Sequence, residues 1–243
     1  MPTLHLQVCA GFANRLRAMV SGICLARQLQ IPLVIHWFPR SPECVCRFES
    51  VLDPRSLPKT VTIVSDDLFQ AQEILNEEHT KNLLAEWNRQ SDIVIKSYGI
   101  FYKDTSWEET LRSIRPSPSV RLLLERTDWN RCIGVHIRRT DNKKSIEYSP
   151  TDWFLEKMRA TPDCTFVVAT DDTKLREGLK AEFGERCVFL AKVLSRRSEE
   201  GMISGVADFF GLAKCSKIWG SVGSSFSEIA ARYGAIPLEL ANP

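Results

Sequence analysis

The side chains best suited to chemistry lie in residues 134–141, Gly-Val-His-Ile-Arg-Arg-Thr-Asp. The alternation of a β-strand sends Val135 and Ile137 to one face, and His136 and Arg138 to the other. Guanidinium groups bind phosphate oxygens in a fixed, bidentate geometry, so two adjacent arginines at the end of a strand indicate a strongly anionic ligand. A surface arginine pair bridged to nearby carboxylates would explain the same pattern.

A second candidate site is the run of small residues at 220–228, Gly-Ser-Val-Gly-Ser-Ser-Phe-Ser-Glu, which passes from a strand into a helix. Backbone amides at such a helix start, with serine hydroxyls beside them, form a cradle for an anion. The structural alternative is a capping box, with Ser225 as N-cap and Glu228 three residues later. The two interpretations are compatible.

Residues 11–15, Gly-Phe-Ala-Asn-Arg, make a similar strand-to-helix turn near the start of the chain. The turn has neither the full dinucleotide-binding glycine pattern nor a Walker loop. Asn14 as a simple helix cap is the alternative to a role in binding.

Charged residues follow two later segments. Asp171 and Asp172 come after an apolar strand and are either a metal pair or caps for the next helix. The absence of an Asp-x-Asp alternation argues against a manganese-bridged nucleotide-sugar site. Arg196 and Arg197 are typical of a solvated loop entering a helix, or of a positively charged lid over a ligand.

A repeated strand–helix rhythm must position these residues. It predicts two α/β halves, residues 1–125 and 126–243, with a hinge near 115–130 and a ligand cleft between them. The predicted strands are 4–9, 32–37, 61–64, 92–95, 132–138, 164–169, 188–190, 217–222 and 236–240. The predicted helices are 14–30, 68–75, 80–90, 106–114, 173–183, 199–214 and 224–233, with another opened by Ser149 as N-cap and Pro150.

The composition excludes several classes of protein. The 243 residues are 44% hydrophobic and 26% charged, which is enough apolar material for a core and excludes low-complexity disorder. The net charge of +2 gives no global attraction to nucleic acid, so an anion site must be local. The apolar runs fall short of the roughly 18–20 residues that span a bilayer, and no secretory signal is visible.

The eight cysteines indicate a reduced, cytoplasmic protein. Six of them sit in or beside apolar segments, where a free cysteine acts as a small hydrophobe. Only Cys44 and Cys46 are closely spaced. No second pair follows them, which argues against a zinc site.

Four motifs, in this order along the chain, resemble the GDP-fucosyltransferase superfamily, which includes α1,2-, α1,6- and protein O-fucosyltransferases. They are residues 11–17 (Gly-Phe-Ala-Asn-Arg-Leu-Arg), 136–141 (His-Ile-Arg-Arg-Thr-Asp), 169–172 (Ala-Thr-Asp-Asp) and 223–227 (Gly-Ser-Ser-Phe-Ser). The resemblance spans most of the chain. It implies a GT-B fold with two Rossmann-like halves, in which the C-terminal half holds most of the donor nucleotide.

The resemblance also implies roles for individual residues. Arg138 would be the catalytic residue that contacts the β-phosphate of GDP, and Asp208 would accept hydrogen bonds from guanine N1 and N2. Arg139 points to the other strand face and is better suited to supporting the loop, although it lies in the donor motif. The expected donor-binding residues are Gly11, Phe12, Ala13, Asn14, His136, Arg139, Asp171, Asp208, Ser224, Ser225 and Phe226.

The implied reaction is an inverting transfer of fucose from GDP-fucose to a hydroxyl of a glycan or other acceptor, without a metal ion or another cofactor. Glu43 and Asp141 are candidates for a general base. The alternatives are a transferase of the same fold that uses another nucleotide sugar, such as a xylosyl- or rhamnosyltransferase, and a non-catalytic nucleotide- or glycan-binding module.

Overall fold

The computed structural model describes residues 1–68, 70–125, 127–129 and 131–241. The chain divides into two compact units, Met1–Ser117 and Pro118–Pro243. The division falls before α5 (Pro118–Leu124) rather than after residue 125, because α5 packs on α9 (Glu199–Ala213) of the second unit. Arg126 and Asn130, in the predicted hinge, lie outside the described residues.

Each unit contains a five-stranded sheet in which all the pairings are parallel. The first sheet has the order β3-β2-β1-β5-β4 and the second has the order β10-β9-β6-β7-β8. The strands are β1 (Leu4–Val8), β2 (Leu33–His36), β3 (Val61–Val64), β4 (Gln72–Glu73), β5 (Ile93–Ser97), β6 (Cys132–Ile137), β7 (Thr165–Thr170), β8 (Cys187–Val188), β9 (Ile218–Gly220) and β10 (Leu238–Leu240).

Helices connect most of the strands. In addition to α5 and α9 they are α1 (Phe12–Leu29), α2 (Phe48–Val51), α3 (Glu77–Glu86), α4 (Trp107–Ser113), α6 (Lys143–Tyr148), α7 (Thr151–Arg159), α8 (Thr173–Phe183) and α10 (Ser225–Gly234). No helix in the described parts of the chain is both long enough and apolar enough to cross a membrane.

The central strand of the second unit, β6, is buried along its whole length. Val135 and Ile137 pack on one side into a cluster with Phe154 of α7 and Leu179 of α8, as the alternation predicts. On the other side α9 approaches closely, since a Cβ on Gly134 would lie 2.9 Å from the Leu212 side chain. The α/β architecture predicted from the sequence is confirmed.

Several local predictions are wrong. The predicted helix over residues 68–75 is replaced by the short strand β4, which pairs with β5 through Gln72 and Ile95, while Phe69 lies outside the described residues. Ser149 does not cap the following helix. It ends α6, a helix that the sequence analysis missed, and α7 begins after Pro150.

Candidate functional site in the second unit

Arg138 directly follows β6, at the carboxyl end of the central strand. Its backbone amide donates to Ser221 Oγ at 3.0 Å, and the Ser221 amide donates to the His136 carbonyl at 3.1 Å. These bonds join the ends of β6 and β9. The backbone that carries Arg138 is therefore fixed to the loop that follows β9, which is the second segment singled out in the sequence.

Carboxylates hold the Arg138 guanidinium. Its Nε atom lies 3.1 Å from Asp171 Oδ2, and both side chains are 21% exposed. Its Nη2 atom donates to Oδ1 of Asp141. The other Asp141 oxygen accepts from Nη2 of Arg196. The family resemblance assigns both Arg138 and Asp171 to the expected donor site, but neither their contact nor the pairing of Asp141 with Arg196 was predicted from the sequence.

Asp171 organises the loop after β6. It accepts the Arg139 amide at 2.7 Å and the Thr140 hydroxyl at 2.6 Å. Burial opposes its ionisation, but the hydrogen bond from Thr140 and the positive charge of Arg138 outweigh burial, so the pKa of Asp171 is lowered. The neighbouring Asp172 caps α8 by accepting hydrogen bonds from the amides of residues 174 and 175. Of the two acids, Asp172 alone therefore plays the capping role that the sequence offered as one interpretation.

The Arg139 side chain forms hydrogen bonds with other groups of the protein. Its guanidinium donates to the carbonyls of Arg138 and Ser149, each at 2.7 Å, and to the Thr151 hydroxyl at 2.9 Å. These contacts tie the loop to the start of α7. They fit the supporting role that its strand face predicts.

His136 is 4% exposed, and its ring lies against Phe226, with 5.0 Å between the centroids and 37° between the planes. Burial lowers the pKa of the imidazole to about 3, and the nearby positive charge of Arg138 acts in the same direction. The ring is therefore neutral at pH 7. Its Nδ1 atom is buried and has no hydrogen-bond partner among the described residues, which is unusual for a buried polar atom.

Asp208 lies on α9 and is 5% exposed. Its Oδ1 accepts the Ala191 amide at 3.0 Å, and the Ala191 carbonyl accepts from Arg176 at 2.6 Å. Burial raises the pKa of Asp208 to about 7, although the Ala191 hydrogen bond and the charge of Arg176 act against it. A carboxyl poised in this way gains most from ligand groups that donate hydrogen bonds.

The turn into α10 differs from the predicted capping box. Ser224 rather than Ser225 is the N-cap, its side chain makes no capping hydrogen bond, and Glu228 pairs with Arg232 at 3.4 Å. Gly223 adopts φ +70°, the left-handed region that glycine tolerates. The first amides of α10 are thus not capped by the Ser224 hydroxyl.

Within the first unit, the predicted turn begins with Ala10 at φ +62°, and Gly11 is the N-cap of α1. Phe12, Ala13 and Asn14 already belong to the helix, so Asn14 does not cap it, and the Asn14 Oδ1 atom has no hydrogen-bond partner among the described residues. Arg15, which the sequence analysis assigned no role, is 1% exposed and donates to the Ala10 carbonyl at 3.0 Å. This hydrogen bond stabilises the turn at Ala10, whose backbone lies in the left-handed region.

No three His, Cys, Asp or Glu side chains in the described ranges are grouped so that they could hold a metal ion. The closely spaced thiols of Cys44 and Cys46 are buried, with their Sγ atoms 3.7 Å apart. None of the eight cysteines, all of which lie in the described parts of the chain, forms a disulfide.

Comparison with known proteins gives matches at the level of structure. No family model and no curated protein sequence matches the chain. A crystal structure of NodZ alpha-1,6-fucosyltransferase soaked with GDP-fucose is 16% identical over 96% of this chain and 93% of that chain, with a TM-score of 0.68. Fucosyltransferase NodZ from Bradyrhizobium gives 16% identity, 95% and 93% coverage, and a TM-score of 0.67.

A crystal structure of POFUT1 in complex with GDP-fucose is 11% identical over 98% of each chain, with a TM-score of 0.63. These identities are low, whereas the structural agreement extends over nearly the full length of every chain compared. The chain therefore has the GT-B-like α/β fold of these fucosyltransferase structures, as the sequence motifs predict.

Proposed function

We propose that this protein is a glycosyltransferase that moves fucose from GDP-fucose to a hydroxyl of a glycan or another acceptor, with inversion and without a metal ion. The observation that carries the proposal is the position of Arg138. It sits at the carboxyl end of the central strand β6, oriented by Asp171, in a fold shared with structures that hold GDP-fucose. Ligands of parallel sheets bind outside the carboxyl ends of the strands.

The chemistry follows from charge. As the bond between the sugar and the β-phosphate breaks, negative charge grows on GDP while the sugar becomes oxocarbenium-like. Arg138 and the first amides of α10, at Ser225 and Phe226, stabilise that charge, as prearranged donors do at other sites of charge development. A guanidinium that is already oriented needs little rearrangement when the charge appears.

Asp208 selects the guanine base of the donor. An ionised Asp208 accepts hydrogen bonds from guanine N1 and N2, which adenine cannot offer. Phe226 contacts both His136 and Phe209, the residue after Asp208, with ring centroids 5.0 and 5.5 Å apart. This aromatic group connects the guanine-reading acid to the strand that carries Arg138.

The acceptor hydroxyl needs little base assistance, because an oxocarbenium-like centre reacts readily. Asp141 is unsuited to take its proton: burial opposes ionisation, but the pairing with Arg196 and Arg138 outweighs it and lowers the pKa of Asp141. Glu43, whose Oε2 accepts from the Ser41 hydroxyl at 2.7 Å, remains the candidate base.

The cysteines bear on the cellular setting. Six of the eight are buried and none forms a disulfide, which supports a reducing cytoplasmic setting.

The test is calorimetric titration of the purified protein with GDP, UDP and ADP, in EDTA and again with Mn²⁺, followed by transfer and hydrolysis assays with a panel of nucleotide sugars. We expect GDP-selective binding that EDTA does not weaken, and turnover of GDP-fucose. A preference for UDP would overturn the donor assignment. Binding of GDP without hydrolysis or transfer of any sugar would instead identify a non-catalytic binding module.

A further inference from the structure

Two arginines converge on one carboxylate in the second unit. Oδ1 of Asp141 accepts from Arg138 Nη2, and Oδ2 of the same group accepts from Arg196 Nη2. Arg138 follows β6, whereas Arg196 lies between β8 and α9, so two separate elements bring positive charge to a single anionic group. The motif at 196–197, which the proposed function gives no role in binding the donor, contributes one of these charges.

The contacts of Asp141 are exposed and therefore exchangeable. The Asp141 side chain is 49% exposed and that of Arg196 is 41% exposed, compared with 21% for both Arg138 and Asp171. Exposed ion pairs contribute little to stability. The Asp171 contact is the more protected of the two that Arg138 makes, so a stronger anion can replace Asp141 while Asp171 still orients Arg138.

The backbone around Arg196 is well anchored. The Ser195 carbonyl packs directly on the first turn of α9, since a Cβ on Gly201 would lie 2.0 Å from that oxygen. The Arg197 amide donates to Ser195 Oγ at 3.1 Å, and Ser198 caps α9 by accepting the Gly201 amide at 3.2 Å. Arg196 is thus presented from a structured segment.

We propose that Arg196 is a second diphosphate-binding residue that acts beside Arg138, and that the Asp141 carboxylate, which both arginines contact, occupies the position that a phosphate group takes when a nucleoside diphosphate binds. A diphosphate offers more oxygens and more negative charge than a carboxylate, and guanidinium groups match phosphate oxygens in bidentate geometry. This inference rests on the proposed function, because it assigns the diphosphate of that donor to a pair of arginines rather than to Arg138 alone.

The experiment is calorimetric titration of four proteins, the wild type, Arg196→Ala, Arg197→Ala and Asp141→Asn, with GDP and with GMP at one pH and salt concentration. Arg197 is the matched control, because it is an equally charged, exposed neighbour. We expect Arg196→Ala to weaken GDP binding by about 10- to 100-fold, the range for a lost charge-assisted hydrogen bond, and to change GMP binding far less. Arg197→Ala should change GDP binding by no more than about 3-fold, as expected for an exposed charge that is screened by solvent.

Asp141→Asn tests the exchange directly. Removing the competing carboxylate charge should tighten GDP binding, whereas weaker GDP binding would show that Asp141 is needed to position the arginines and would overturn the exchange. Equal losses in the Arg196 and Arg197 variants would reduce the effect to general electrostatics and overturn the assignment of Arg196. If the wild type binds GDP and Arg196→Ala binds it equally well, this inference alone fails. If the wild type does not bind GDP, the proposed function fails with it.

Discussion

Asp171 holds two successive arginines by different means: its Oδ2 lies 3.1 Å from Arg138 Nε, and its Oδ1 accepts the backbone amide of Arg139 at 2.7 Å. One carboxylate thus fixes both the direction of the Arg138 guanidinium and the path of the loop that carries it. Arg138 keeps its terminal nitrogens for other anions, because Asp171 engages the guanidinium at Nε.

Replacing Arg138 should abolish most of the proposed transfer activity. Arg138→Ala removes the charge that stabilises the departing diphosphate, and turnover of GDP-fucose should fall by roughly 10²–10³-fold or more. Arg138→Lys keeps the charge but cannot engage Asp171 and a phosphate together, so we expect a smaller but substantial loss. Steady-state assays of both variants, with circular dichroism as the folding control, test this. Near-wild-type turnover in a folded Arg138→Ala protein would remove the residue from the site.

Asp171→Asn should affect both acid stability and activity. The pKa of Asp171 is lowered in the folded protein, so its charge stabilises the fold above the unfolded-state pKa of about 4, and this contribution is lost as the pH falls through the lowered folded pKa. Urea unfolding should show a weaker dependence on acid in the variant than in the wild type. GDP-fucose turnover should fall because Arg138 is less well oriented. An unchanged acid dependence would contradict the pairing.

Asp208 should couple nucleotide binding to pH. Burial raises its pKa to about 7 in the folded protein, so folding favours the protonated form and this stability is lost as the pH rises from about 4 through 7. If GDP binds the ionised form, its affinity increases from pH 6 to pH 8, and protons are released on binding. Titrations in buffers of different ionisation enthalpy measure the release. Asp208→Asn is titrated in parallel, because the ionisation of GDP itself contributes equally to both proteins and is removed by subtraction. The variant should lose the part of the proton release that comes from Asp208, and it should no longer discriminate against ADP.

Alanine substitutions at Gly11 and Gly220 distinguish a loss of GDP affinity from a loss of stability caused by poor packing. Among the described residues a Cβ on Gly11 would meet the Glu43 carbonyl alone, at 4.0 Å, so Gly11→Ala introduces no clash and should cost about 1 kcal/mol or less through the loss of a favoured N-cap residue. A Cβ on Gly220 would lie 2.7 Å from Ser227 Oγ and 2.9 Å from Leu238 Cδ1, so Gly220→Ala should cost about 1–3 kcal/mol. If the turn at Gly11 approaches the diphosphate, Gly11→Ala weakens GDP binding with a smaller loss of stability than Gly220→Ala. Unchanged GDP affinity in that variant would remove the turn from the site.

The sequence predicts most of the elements because their hydrophobic patterns are local. The strand over Val61–Val64 and the helix over Thr173–Phe183 have the predicted bounds, and Asp172 and Gly184 define the two ends of the helix. The short strand β4 was missed for the opposite reason. Only two residues pair, and the hydrogen bonds that define the strand come from β5, which no local pattern indicates.

In the candidate site, too, the features set by local sequence patterns were predicted and those set by long-range contacts were not. The strand face of His136 and Arg138 follows from alternation, and Val135 and Ile137 pack together into a core cluster that does not include His136. The contacts that orient Arg138 do not follow from alternation, because Ser221 and Arg196 are brought to the end of β6 only by the folded chain. Long-range polar partners of this kind leave no periodic signal.

The central position of β6 has a consequence for the dynamics of the protein. Its amides lie between β7 and β9 and beneath helices on both faces, so their exchange with solvent deuterium should require the largest opening of the second unit. The Arg138 amide, held by Ser221 Oγ, immediately follows this protected segment. The backbone that carries Arg138, the proposed phosphate-binding residue, should therefore move little unless the second unit unfolds. The side chains of Asp141 and Arg196, which are half-exposed, are the groups that can change conformation rapidly when a ligand binds.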